Sequence, residues 1–202
     1  MKKNLLPLFL LFSVLLSYPT YAQIKQDGKL FFKLKHLQAN EWGVFVIPDS
    51  TMKPSNKTMA GAGQVTLLAP AGFTYYDFKN VGGTWVENAK VINPIEAKNR
   101  TYISFGFVTD SPKINLSPSS EQLLFSFKTD DIYYGTFSLF ENGKDPFDTP
   151  NSWGTNPGND LGMIDRTDDN TLLYYTYSAN IIEPFNKNQN ALFVSKHDIE
   201  ID

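Results

Sequence analysis

Apolar and polar residues alternate in short runs along most of this chain, and glycine, proline, asparagine, aspartate and serine cut the runs apart. In Lys29–Gln38, Leu30, Phe32 and Leu34 face one way while Lys33 and Lys35 face the other. That period of two is the signature of a half-buried strand. Trp42–Ile47 is apolar on both faces, as a central strand should be. Gln64–Ala69 alternates again, with Val65, Leu67 and Ala69 inward. Phe73–Phe78 and Thr84–Ile92 are two further strands split by Gly82-Gly83. Tyr102–Val108 puts Ile103, Phe105 and Phe107 on one face, and Glu121–Lys128 does so with Leu123, Phe125 and Phe127. Tyr133–Phe140 and Leu172–Tyr177 complete nine strands. Pro48–Ala62, Asp110–Ser120 and Asn142–Asn159 read as connections. No run after Ala22 keeps a helical period for ten residues. The pattern predicts an all-β fold: a single β-sandwich, jelly-roll-like, of about nine strands.

The first residues break this rhythm. Lys2 and Lys3 precede an uncharged apolar run, Leu5–Tyr18, and Thr20-Tyr21-Ala22 closes it with small residues at two positions. This order is that of a cleaved secretory signal, and the run is short of the roughly 20 residues a membrane span needs. The expected division is a signal peptide over 1–22, a sandwich domain over 23–180 and a C-terminal extension over 181–202, with Ala191–Ser195 a possible edge strand. Cleavage after Ala22 would leave Gln23 as the new terminus, with no membrane span behind it. Loss of Lys2 and Lys3 moves the net charge from −3 to about −5. An acidic chain without a basic stripe does not suit nucleic acid, which is bound by clustered cations. The expected location is secreted or at a bacterial cell surface.

Composition narrows the chemistry. With no cysteine, thiol catalysis and thiolate metal sites are excluded, and burial and hydrogen bonds must hold the fold. The two histidines, His36 and His197, lie far apart. His36 continues the Leu30–Leu34 face and reads as a packed core-edge residue. No nucleophile elbow, zinc-protease or phosphate-loop motif occurs, so no cofactor is expected. Asp160, Asp165, Asp168 and Asp169, with Asn170, could gather oxygen ligands for calcium. Their spacing does not follow the EF-hand loop, and a solvated turn is the simpler reading. Asp49-Ser50-Thr51 fits a short bacterial glycosylation pattern centred on Ser50.

Aromatics make up 14% of the chain, and their placement is the more informative feature. Trp153 sits in a segment that must be loop, where there is little core to join. Tyr75-Tyr76, Tyr133-Tyr134 and Tyr174-Tyr175 are adjacent pairs on strands, so one ring of each pair can face outward. Exposed rings suit the apolar faces of sugars. Trp153, Tyr75 and Tyr134 are the expected ligand-binding residues.

Gln64–Val91, Tyr102–Phe107 (YISFGF), Leu123–Thr129 (LLFSFKT) and Asp145–Met163 (DPFDTPNSWGTNPGNDLGM) resemble, in order, blocks of cohesin-like domains in exported Bacteroidetes-type proteins. That family shares its sandwich with family 2 and 3 carbohydrate-binding modules. The resemblance implies a jelly-roll-like sandwich and extracellular binding rather than catalysis, the functional step being analogy. It lacks the cysteine pair some relatives carry, and 181–202 has no counterpart. The expected function is therefore a non-catalytic surface or secreted binding module for extracellular carbohydrate. The alternative is a structural or adhesive protein that docks a surface protein through a sheet face. A pocket with two carboxylates about 5–10 Å apart would instead point to a hydrolase.

Overall fold

The computed structural model describes residues 23–130, 137–168 and 171–182. These form ten strands and no helix: β1 (Gln23–Gln38), β2 (Glu41–Pro48), β3 (Thr58–Pro70), β4 (Tyr76–Asn80), β5 (Thr84–Ile92), β6 (Arg100–Thr109), β7 (Gln122–Lys128), β8 (Ser138–Leu139), β9 (Asp160–Asp168) and β10 (Thr171–Asn180). One mixed sheet runs β4-β7-β2-β1-β10-β9-β3-β6-β5, with β8 beside β3. Only β1 and β10 pair in parallel among the described residues; the other ladders are antiparallel. The two edge strands, β4 and β5, are consecutive in the chain, so the sheet curls back on itself and encloses its core as a nearly closed sandwich. Curling removes most of the exposed edge that a flat ten-stranded sheet would present.

The all-β architecture agrees with the sequence reading, and Thr84–Ile92 is a strand over just those residues. Four elements differ. β9 covers what reads as an acidic turn. Its alternation is hidden because Asp165, fully buried, takes an inward position beside Leu161 and Met163. β3 begins at Thr58, six residues earlier than expected, because its small residues pair with β9 over Thr58–Gln64. In β7 the ladder to β2 slips between Val44 and Phe45, so Leu124 rather than Leu123 enters the core with Phe125 and Phe127. A bulge of this kind turns the following side chains to the opposite face. Leu123 lies outside instead, against Gly43 and near Phe45. The predicted strand at Phe73 starts only at Tyr76, though Phe73 is itself buried.

The core is aromatic. Phe78 stacks on Phe105 at 5.2 Å, Phe105 meets Phe125 at 5.0 Å, and Trp85 meets Phe125 at 5.7 Å. Leu30, Phe32, Val44, Val46, Val65 and Leu67 surround them at 0–1% exposure. Each fully buried ring or branched side chain contributes about 1.5–3 kcal/mol. A second cluster, Leu68, Val91, Tyr102, Phe140 and Phe147, lies on the other side of β3, β5 and β6. Hence β3 is buried on both faces from Val65 to Ala69. What covers this second cluster is the long loop between β8 and β9.

Candidate functional site

The β8–β9 loop is built from turn-forming residues whose side chains satisfy its own backbone. Asn151 Nδ2 donates to the carbonyls of Phe147 (3.1 Å) and Thr155 (2.9 Å), and its Oδ1 accepts from the Trp153 and Thr155 amides. Ser152 donates twice to Glu96, at 2.6 and 2.9 Å, tying the loop tip to the β5–β6 turn. Tyr102 Oη donates to Asp145 Oδ1 at 2.8 Å. Burial, then the Asp145 carboxylate, pushes the Tyr102 hydroxyl above the ordinary tyrosine range.

An amide network fastens the other end. Asn159, 2% exposed, accepts from Thr66 N–H at 2.8 Å and donates to the Phe140 carbonyl at 2.7 Å and to Asn180 Oδ1 at 3.1 Å. Its backbone pairs with the Asn142 side chain in both directions, at 2.9 and 2.8 Å. Tyr177 Oη donates to Asn180 Oδ1 at 3.0 Å, and its ring packs on Phe32 at 4.9 Å. Burial raises the Tyr177 hydroxyl above its ordinary value. A fully satisfied buried network of this kind fixes one geometry.

Above this network lies an open groove of about 550 Å³, lined by Gln64, Asn142, Asp148, Asn156, Asp160 and Tyr177 among others. A smaller hollow of about 280 Å³ adjoins it and shares Gln64, Asn156 and Pro157. Gln64 Nε2 bridges to the carbonyls of Asn156 and Gly158 at 2.9 and 3.1 Å. The Asp148 carboxylate accepts from the Gly143 and Thr149 amides. The lining therefore mixes amide donors, carbonyl and carboxylate acceptors and one hydroxyl.

The expected site residues do not converge. Trp153 is 55% exposed on the loop tip but outside the groove lining. Tyr75 is half-buried among Phe73, Phe78, Phe105 and Phe127, with ring centres 5.6–6.4 Å apart, and donates to Glu87 at 2.7 Å. It seals the core rather than offering a free face; its neighbour Tyr76 is the outward ring of that pair. Burial, then Glu87, pushes the Tyr75 hydroxyl well above its ordinary value. Tyr134 lies outside the described residues, as do Ala22, Asp169, His197 and the 191–195 segment. Gln23 is the first described residue and opens β1, and of the 181–202 extension only Ile181 and Ile182 are described.

Asp165 accepts from Ser55 N–H (2.8 Å), Ser55 Oγ (2.9 Å) and Thr58 Oγ1 (2.7 Å), which pins the β2–β3 connection to β9. Asp160 lies five residues earlier on the same strand, exposed, so the two carboxylates point to opposite faces. Asp168 ends β9, and no group of three histidine, aspartate or glutamate side chains sits at metal-binding distance among the described residues. Ser50 is exposed in a turn held by Asp49, whose carboxyl the Thr51 hydroxyl holds below its ordinary range. His36 meets Trp42 edge-on at 5.1 Å. The outer face of β1, β2 and β7 carries half-buried Phe45, Ile47 and Leu123, with Lys33 and Lys35 paired to Glu121 at 2.6 and 2.7 Å.

Asn142 and Asn159 escape sequence reasoning because an amide in a loop reads as a turn former, and Gln64 and Tyr177 because nothing in their strands marks them as groove residues. The one available signal is the density of asparagine in Asn151–Asn159. No family model matches the chain, and neither a curated protein nor a solved structure does.

Proposed function

We propose that the protein is an exported, non-catalytic binding module whose ligand is an extracellular carbohydrate, held in the groove beside the β8–β9 loop. The observation that carries this reading is the groove lining: Gln64, Asn142, Asn156, Asp148, Asp160 and Tyr177 around an open cleft of about 550 Å³. Sugar hydroxyls donate and accept at once, and amide and carboxylate groups match both roles. The floor is preorganised by the Asn159 network, so binding orders few side chains. Trp153, exposed on the same loop, adds a ring face that can stack on a sugar. The resemblance of the Asp145–Met163 block to cohesin-like and carbohydrate-binding domains supports the reading by analogy.

A glycan array on the mature chain, followed by titration of Asp160→Ala and Trp153→Ala, tests it. Asp160→Ala should weaken binding about tenfold, the worth of a hydrogen bond to a charged group. Trp153→Ala should weaken it about threefold and leave stability within about 0.5 kcal/mol, as expected for an exposed side chain. Indifference of a bound glycan to Asp160→Ala would remove the groove as its site. Shortening of the glycan on incubation would overturn the non-catalytic half.

A further inference from the structure

We propose that Tyr174 is a stacking platform that lengthens the groove along the outer face of β9, so that the ligand is a chain of neutral sugar rings rather than one sugar. This rests on the carbohydrate reading above.

The argument begins in β10. Tyr174 and Tyr175 are neighbours on a strand and must point to opposite faces. Tyr175 is fully buried in the core, while Tyr174 is 36% exposed outside. Tyr174 pairs with Ile164 of β9, but its ring leans over Gly162. A Cβ at position 162 would stand 2.8 Å from the Tyr174 hydroxyl oxygen and 3.5 and 3.6 Å from two ring carbons. The ring lies across the sheet because that residue has no side chain. With about a third of its surface exposed, the ring keeps area open to solvent beside this bare stretch of backbone.

The position of this ring connects it to the groove. Gly162 pairs with Ala62 of β3, which lines the groove. Asp160, another lining residue, lies two positions before Gly162 on the same face, about 7 Å along the strand. Gly61, Ala62 and Gly162 put no bulky side chain between cleft and ring. A chain leaving the cleft over Asp160 meets the Tyr174 face next. The charged side chains of the lining, Asp148 and Asp160, are both acids, which favours neutral rings over uronic acids.

The test titrates the full mature chain with cello-, malto- and manno-oligosaccharides of two and six rings and with hexameric polygalacturonate. The hexamer of the preferred neutral sugar should bind about tenfold more tightly than the dimer, since stacking on one ring contributes about that factor. Tyr174→Ala should abolish this length advantage while leaving dimer binding unchanged, and Tyr174→Phe should keep it. Gly162→Ala, which lifts the ring without removing it, should narrow the advantage and guards against misfolding of Tyr174→Ala. A length advantage that survives both Tyr174→Ala and Gly162→Ala overturns the platform while leaving the groove intact. Tighter binding of polygalacturonate overturns the preference for neutral rings. Failure of every oligosaccharide to bind at millimolar concentration overturns the carbohydrate reading and the platform with it.

Discussion

The curled sheet is sealed in two places, by opposite chemistry. Between β4 and β5 the seam is closed by rings. Trp85, Phe78, Phe105 and Phe125 interlock beneath it, and only a few hydrogen bonds cross it: Trp85 N–H to Asn80 Oδ1 at 2.8 Å, Lys90 Nζ to the Phe73 carbonyl at 3.1 Å and Tyr75 Oη to Glu87 at 2.7 Å. Between β3, β10 and the β8–β9 loop the closure is made of amides, with Asn159 at its centre. Ring packing is tolerant of direction and hides its surface completely. Amide packing needs every donor met, and it leaves further donors and acceptors beside it, at the rim of the groove. The candidate site sits next to the polar closure for that reason.

Substitutions at the two closures should separate these roles. The largest effect is expected at the rings. Phe125→Ala removes a fully buried side chain that meets Trp85, Phe78 and Phe105, and should cost about 4 kcal/mol in chemical denaturation. A loss under about 1 kcal/mol would mean that the seam is not held by its rings. Asn159→Ala should cost about 2 kcal/mol, because it leaves the Thr66 N–H and Asn180 Oδ1 short of a buried partner. Its distinguishing sign is functional: glycan binding should be lost while the near-ultraviolet signal of the aromatic core persists. Loss of both together would merge the two closures into one cooperative unit.

The smallest effect concerns Tyr75. Its hydroxyl is raised by burial and by Glu87, so the folded chain keeps that proton where the unfolded chain has released it. The folded state then binds more protons than the unfolded one above about pH 10, and stability must fall as pH rises through that range. Below about pH 10 the contribution is fully present. Tyr75→Phe should leave stability at neutral pH within about 1 kcal/mol and flatten the alkaline decline. An unchanged alkaline slope would assign the decline to Tyr102 and Tyr177, which are raised in the same direction.

The fold was legible where burial and period agree. Val65 and Phe127 sit between polar neighbours, Leu30, Phe32 and Leu67 keep the same period of two, and each is in the core. It was illegible where a polar residue occupies an inward position. Asp165 hides β9, because a buried carboxylate satisfied by Ser55 and Thr58 looks, in a linear string, like one acid of an exposed turn. The ladder slip at Val44–Phe45 was equally hidden, since Leu123 and Leu124 have the same chemistry and only the pairing with β2 selects between them.

The sequence by itself determined the class of fold, most strand positions, the aromatic character of the core and the absence of thiol chemistry. Hydrophobic period and composition are local quantities, and these features depend on little else. The tertiary structure alone decided which ring of the Tyr75-Tyr76 and Tyr174-Tyr175 pairs faces out, that Asp160 and Asp165 diverge, and that loop amides gather with Gln64 and Tyr177 around one groove. Each of these depends on which strand lies beside which, and pairing between distant strands, as of Gln64 with Asp160, leaves no mark in a short window of sequence.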